Sequence, residues 1–248
     1  MKKTLTMLLL AALQVTAVAA TPGGATVTFG QGEEGWHGLQ PLDGNGGSGI
    51  DTSLGNGAPA LHTQIEHFGA TWSTTTNTDF VRDYTQMQGV TFGIDVLANS
   101  VWFFNREVTR DLVIELRDYD NQTNGLPYTS VWAKVGTLDA SKDGWQHLSV
   151  TIDDTSAIGL PSGWGGYGAE DAQGNPYLPS DRTFASVLAG VDEVAFTTLV
   201  PGYMYGFTYF DVAVDNISIS PVPEPAQGGM LLAGLAGIAA LARRRARR

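Results

Sequence analysis

The chain has 248 residues, no cysteine and a formal net charge of −11 at pH 7. Without cysteine it holds neither disulfides nor thiolate-bound metal, so a carboxylate-bound ion is the remaining external stiffener. Setting aside Lys2, Lys3 and the arginines at 243, 244, 245, 247 and 248 leaves seven basic residues against 24 acidic ones once Glu224 is also set aside, a body about 17 charges negative; such a surface repels phosphate backbones and excludes nucleic acid as a partner.

Residues 1–20 read as a signal peptide. Met1-Lys2-Lys3 supplies the basic start, Met7 to Leu13 the apolar stretch, and Ala17-Val18-Ala19-Ala20 the small-residue exit before a Thr-Pro-Gly-Gly break. At about 1.5 Å of helical rise per residue, this apolar stretch is too short for a permanent span of a hydrocarbon core about 30 Å thick. Cleavage is expected after Ala19 or Ala20.

Residues 21–220 are enough for one domain with its own core. Strand patterns dominate them. Ala25 to Phe29 is a first short candidate, and Val90, Phe92, Ile94 and Val96 alternate with Thr91, Gly93 and Asp95 at the period of a half-buried strand. Leu112, Ile114 and Leu116 alternate with Asp111, Glu115 and Arg117, and Leu148, Val150 and Ile152 repeat the pattern after Trp145. Val191 to Thr198 and Phe207 to Ile219 supply two more, and at least one further strand is expected in the less regular stretches. In the last segment Val212 and Val214 share a parity that Ile217 and Ile219 do not. One inserted residue restores a common apolar face, which predicts a β-bulge at Asp215-Asn216. Long loops are expected at 40–60, 74–80 and 156–183, with no amphipathic helix in the body. Many short antiparallel strands predict an all-β, antiparallel two-sheet sandwich of jelly-roll type, with an immunoglobulin-like sandwich as the alternative.

Chemistry-bearing patterns in the body are sparse. His62 and His67 bracket Glu66 but miss the zinc-protease spacing and fall on opposite faces of an extended segment. Asp120 to Gly125 starts like a calcium loop, but Val131 stands where the closing glutamate is needed, and a hairpin turn at Asn124-Gly125 explains it better. Asp211 and Asp215 would lie roughly 13 Å apart along a regular strand, beyond the usual spacing of a glycosidase pair. A serine nucleophile lacks its Gly-x-Ser-x-Gly turn. No catalytic residue is assigned. Among the aromatic residues, Trp164 and Tyr167 in a glycine-rich loop are the candidates for stacking on the flat faces of sugars.

The C-terminal residues read Pro221-Val222-Pro223-Glu224-Pro225, then a mostly apolar stretch from Ala226 to Ala242, then Arg243, Arg244, Arg245, Ala246, Arg247 and Arg248. The prolines end any strand, and the stretch of 17 residues would reach roughly 25 Å as a helix, just short of a comfortable span. Arginines beyond it hold the terminus on the cytoplasmic side. This order of three parts resembles the PEP-CTERM sorting signal, also catalogued as the ice-binding protein C-terminal domain. The resemblance implies that Pro223, Glu224 and Pro225 are read by an exosortase-like membrane enzyme, with Arg243, Arg244 and Arg245 completing the signal. It further implies a Gram-negative, exopolysaccharide-producing source and a tail helix transiently in the inner membrane.

The body is similar, more weakly and over roughly 140–220, to laminin B modules and galactose-binding-like carbohydrate-binding modules. Gly144-Trp145, Gly163-Trp164, Phe184, Leu188, Val191 and Asp215-Asn216-Ile217 carry that similarity. It implies a jelly roll and a structural calcium between an acid near the first strand and an aspartate on the last, which in this chain would be Glu33 and Asp215. Gly30 stands where such families often place the acid, directly after the phenylalanine of the first strand. The resulting expectation is an exported surface or extracellular-matrix protein that binds or scaffolds exopolysaccharide without catalysis. A glycan-active hydrolase and a purely structural matrix protein are the alternatives.

Overall fold

A computed structural model describes residues 23–40, 44–57, 59–120, 122 and 125–222. The expected leader at 1–20, the Asn124 turn position, the sorting residues Pro223, Glu224, Pro225, Arg243, Arg244 and Arg245, and the expected tail helix lie outside the described residues. None of the described helices is long and apolar enough to cross a membrane.

The described residues form two main antiparallel sheets. One contains β1 (Ala25–Val27), β3 (Gly46–Asp51), β4 (Ala60–His67), β6 (Val90–Phe103), β7 (Arg106–Glu107), β10 (Gln146–Ile152) and β15 (Thr208–Pro221), in the order β10-β6-β15-β4-β3, with β1 on β15 and β7 on β6. The other contains β2 (His37–Gly38), β5 (Thr71–Thr74), β8 (Arg110–Asp118), β9 (Thr129–Leu138), β11 (Trp164–Tyr167) and β14 (Glu193–Thr197), in the order β11-β9-β8-β14-β5-β2. A small hairpin pairs β12 (Ala169–Glu170) with β13 (Pro176–Tyr177). From β4 onward successive strands cross between the two sheets, except that β7 follows β6 in one and that β8 and β9, and later β11 and β14, follow one another in the other. That wrapping, with β15 between β6 and β4, makes the sandwich a jelly roll rather than an immunoglobulin-like one.

The alternation read from the sequence sets the two faces. Phe92, Ile94 and Val96 on β6 and Phe210, Val212 and Val214 on β15 turn into the core, opposite Leu112, Ile114 and Leu116 on β8. Each such side chain, taken fully out of water, stabilises the fold by about 1.5–3 kcal/mol. The expected bulge is present: the β15–β6 register shifts between Asp215 and Ser218, and Asn216 adopts φ +48°. Ile217 and Ile219 thereby return to the core.

Three details differ from the pattern reading. The 40–60 segment contains β3, whose glycines permit a close approach to β4; a Cβ on Gly46 would meet the Gln64 carbonyl oxygen at 2.0 Å. The segment 156–183 contains β11, β12 and β13. A short helix, α1 (Phe184–Leu188), occurs where none was expected. It is too brief for a helical period to show, and it is fixed by a capping box in which Thr183 and Ser186 bond one another's backbone N–H. Phe184, Val187 and Leu188 plug the core from it.

Candidate functional site: the outer face of the six-stranded sheet

With Leu112, Ile114 and Leu116 turned inward, Val113, Glu115 and Arg117 on β8 must point outward. The register then assembles rows of outward side chains. Tyr167, Ser130, Arg117 and Glu193 form one row across β11, β9, β8 and β14. Gly165, Trp132, Glu115, Ala195, Ser73 and His37 form the next, crossing all six strands. Lys134, Val113, Thr197 and Thr71 form a third. Small residues along β14 and β5 give this face a recessed floor, where Ala195 and Glu115 are 0% and 1% exposed although neither faces the core.

Arg117 organises one end of the recess. Its Nε and Nη2 donate to Glu115 Oε2 at 2.9 and 2.6 Å, and Nη1 donates to Glu193 Oε2 at 3.0 Å. Ser130 Oγ donates to the other Glu115 oxygen at 2.6 Å, and the Tyr119 hydroxyl donates to Glu193. The guanidinium lies 4.9 Å from the centre of the Tyr128 ring. Tyr128 is in turn flanked by Tyr119 at 5.5 Å and Tyr167 at 5.3 Å. A planar cation held by two carboxylates beneath Tyr128, itself flanked by two more tyrosines, is stiff, because each group fixes the next.

Burial alone would lower the Arg117 pKa, but Glu115, Tyr128 and Glu193 outweigh it and the guanidinium stays charged. Burial pushes Glu193 up, yet Arg117 and hydrogen bonds from Tyr119 and Ser73 hold its carboxyl below the ordinary glutamate range. Burial and the Glu193 carboxylate push the Tyr119 hydroxyl up to about 12, so it remains a hydrogen-bond donor. The recess therefore presents flat tyrosine faces held by a fixed, internally bonded polar network, a platform suited to the C–H faces of a sugar.

Of the aromatic pair expected from the sequence, Tyr167 alone reaches this face. Trp164 sits opposite Ala133, one of the inward positions of β9, and packs 5.2 Å from Phe184 on α1, against the core. Trp132 takes its place outside, lying over Gly165, where an added Cβ would meet the indole ring at 2.4 Å. Sequence reasoning missed Glu193, Tyr119, Tyr128, Trp132 and Ser73. The signal available was the outward Glu115-x-Arg117 pattern on a strand already recognised.

Glu33 and Asp215 are not brought together as a pair. Glu33 is exposed, and the acid at the first turn whose charge reaches Asp215 is Glu34. Asp215 is fully buried, and both its oxygens accept backbone N–H groups, from Asn216 and Asn56, at 2.7 Å. Calcium takes six to eight oxygen ligands. Asp215 here faces nitrogen donors, and among the described residues no group of three or more His, Asp or Glu side chains is placed to hold a metal. The residues at Asp215 thus do not fit the expected calcium shell. His62 and His67 take opposite faces of β4, as their spacing implied; His62 Nε2 lies 2.8 Å from Asp211 Oδ1, while His67 contacts Phe68 and Phe207.

Residues 221–248 match the PEP-CTERM protein-sorting motif, which marks the chain as an exported protein. Comparison with curated proteins finds no match. Similar solved structures include the CBM22-1 and GH10 modules of the Clostridium thermocellum endo-1,4-beta-D-xylanase 10B complexed with xylohexaose, at 12% identity over 82% of this chain and 29% of that one, with a TM-score of 0.46. The family 30 carbohydrate-binding module of the Clostridium thermocellum cellulosomal cellulase Cel9D-Cel44B shows 14% identity over 81% and 95% of the two chains, TM-score 0.43. A CBM4 structure shows 14% identity over 84% and 93%, TM-score 0.32. This chain thus spans less than a third of the xylanase chain. At these identities and scores the likeness is one of strand arrangement, and the ligands and activities are those of the named proteins.

Proposed function

We propose that this protein is a non-catalytic glycan-binding module, exported and sorted by an exosortase-like membrane enzyme, that holds or scaffolds an extracellular polysaccharide through the outer face of its six-stranded sheet. The observation that supports this reading is the Arg117 cluster, with Glu115 and Glu193 on the guanidinium, Tyr128 over it, and Tyr119 and Tyr167 flanking Tyr128. The acidic body favours a neutral or basic sugar over an anionic one. A hydrolase reading is weaker. Glycoside hydrolysis needs one carboxylic acid raised enough to carry a proton, whereas Glu193 is held low and Glu115 is tied to Arg117 and Ser130.

The test is affinity electrophoresis of the mature body through gels containing neutral polysaccharides, beside a reducing-sugar assay on the same panel. Retention without sugar release, lost in a Tyr128→Ala/Tyr167→Ala variant, is the expected result. Sugar release by the native protein would overturn the non-catalytic reading, and no retention on any gel would overturn glycan binding.

A further inference from the structure

The opposite sheet carries a second aromatic surface. On the outer side of the seven-stranded sheet, Glu66, Tyr209, Trp102 and Glu107 form one row from β4 through β15 and β6 to β7. With strands about 4.8 Å apart, that row runs roughly 14 Å. Trp102 and Tyr209 are 42% and 38% exposed in it. Phe104, Asn105 and Phe207 complete a cavity of about 290 Å³ with Glu66 and these two rings.

The way this surface is built argues that it is more than incidental exposure. Phe104 and Asn105 form the tip between β6 and β7, and both adopt left-handed backbone, φ +45° and +57°. That conformation is uncommon for a bulky side chain and costs of order 1 kcal/mol. Its outcome is a phenylalanine 84% exposed to water. A strained turn that holds an apolar ring in solvent, beside three more exposed rings, is a feature of recognition surfaces.

The polar groups decide between occupants. The cavity walls add a carboxylate and an amide to the rings, with Glu107 at the end of the row and, among the described residues, no cation lining the cavity. Acceptors between flat rings suit a ligand that donates many hydroxyls and presents apolar C–H faces. An anionic lipid surface or an anionic polymer would be repelled by Glu66, by Glu107 and by the acidic body as a whole. A second copy of the chain would bring the same charge.

We propose that this cavity is a second, independent subsite for a neutral pyranose chain, so that one module holds two polysaccharide strands on opposite faces of the sandwich. The inference rests on the glycan reading above for its chemistry and on none of the same residues.

Titration calorimetry of the mature body with cellohexaose, xylohexaose and laminarihexaose tests it. Native protein should take two oligosaccharides per chain, a Trp102→Ala/Tyr209→Ala variant one, and the Tyr128→Ala/Tyr167→Ala variant one. Phe104→Ala, which removes a ring 84% exposed and outside the core, should weaken the second site at least fivefold. Unchanged stoichiometry and affinity in both the Trp102/Tyr209 and Phe104 variants would overturn the second site while leaving the first intact. One site per chain, lost only in the Trp102/Tyr209 variant, would keep this site and overturn the other face. No uptake of any probe would overturn both. A concentration-dependent dimer abolished by Trp102→Ala, with no oligosaccharide at that site, would assign the surface to a second copy of the chain and overturn the proposal.

Discussion

Asp95 and Asp215 stand directly opposite one another on β6 and β15, two carboxylates in a single cross-strand pair. Like charges so placed destabilise a sheet, and the pair persists because two asparagines bridge it. Asn56 gives its backbone N–H to Asp215 at 2.7 Å and its amide to Asp95 at 2.8 Å. Asn216 does the same, backbone to Asp215 at 2.7 Å and amide to Asp95 at 2.9 Å. The bulge is what allows this, since the left-handed φ of Asn216 turns both its donors toward the pair. The clasp also ties the segment after β3 to the middle of the sheet.

Substitutions at Asn216 separate the two contributions. Asn216→Gly keeps the left-handed backbone and loses one charge-assisted hydrogen bond, about 1–2 kcal/mol. Asn216→Ala loses the same bond and adds the strain of a left-handed non-glycine residue, for a total of about 2–3 kcal/mol. Urea unfolding followed by circular dichroism should give that order. Equal losses, or a larger one for glycine, would contradict the account of the clasp.

The pH dependence of stability carries a sign that can be checked at Glu193. Its folded pKa is depressed, with Arg117 and two hydroxyls overcoming the effect of burial. A depressed acid stabilises the fold above its unfolded value, about 4.3, and that contribution disappears as pH falls through the lower folded value. Asp215 has the opposite sign: burial first, then Asp95 and Glu34, raise it, so its favourable contribution exists at low pH and is lost as pH rises through its folded value. Glu193→Gln should therefore cost about 1–3 kcal/mol near pH 7, with the gap to the native protein closing below about pH 4. A gap that stays constant from pH 7 to pH 3 would remove the ion pair as its cause.

The strands and the bulge were legible because they depend on parity alone. Phe92, Ile94 and Val96, or Val214 against Ile217, report their faces without reference to any partner. The recess depends on register as well. Arg117 and Glu193 are neighbours only because β8 and β14 pair as they do, and nothing in the spacing of the chain states that pairing. Trp164 shows the converse error: its glycine-rich context suggested exposure, while pairing with Ala133 and an unforeseen short helix turn it inward. Which acid of the first turn lies toward Asp215 depends on backbone that residue order does not reveal, since Gly32, Glu34 and Gly35 all take positive φ.

Calcium removal tests the donor chemistry at Asp215. An ion bound to the native state at a hundred times its dissociation constant would add about 2.7 kcal/mol to stability, which for a domain of this size is a shift of several degrees in melting temperature. Because Asp215 and Asp95 are already satisfied by nitrogen donors, the melting temperature should be the same in millimolar calcium and in excess chelator. A clear rise with calcium would overturn that expectation.

Gly165 offers a way to disturb the recess without substituting any of its charged residues. It lies beneath the Trp132 ring, where an added Cβ would come within 2.4 Å of the indole. A separation that short is impossible, and the side chain that must give is Trp132, which is half-buried on the outer face rather than locked in the core. Gly165→Ala should thus lift the indole and widen the row of Trp132, Glu115 and Ala195, at a cost to stability of about 1–3 kcal/mol, as for overpacking elsewhere. If the recess holds sugar, retention on the polysaccharide that binds best should fall by at least tenfold while the Arg117–Glu193 pair, which lies in the neighbouring row, stays assembled. The pH profile of unfolding reports on that cluster independently. Weaker binding with an unchanged acid limb would assign Trp132 to the ligand platform, and unchanged retention would leave the tyrosines above Arg117 as the whole of it.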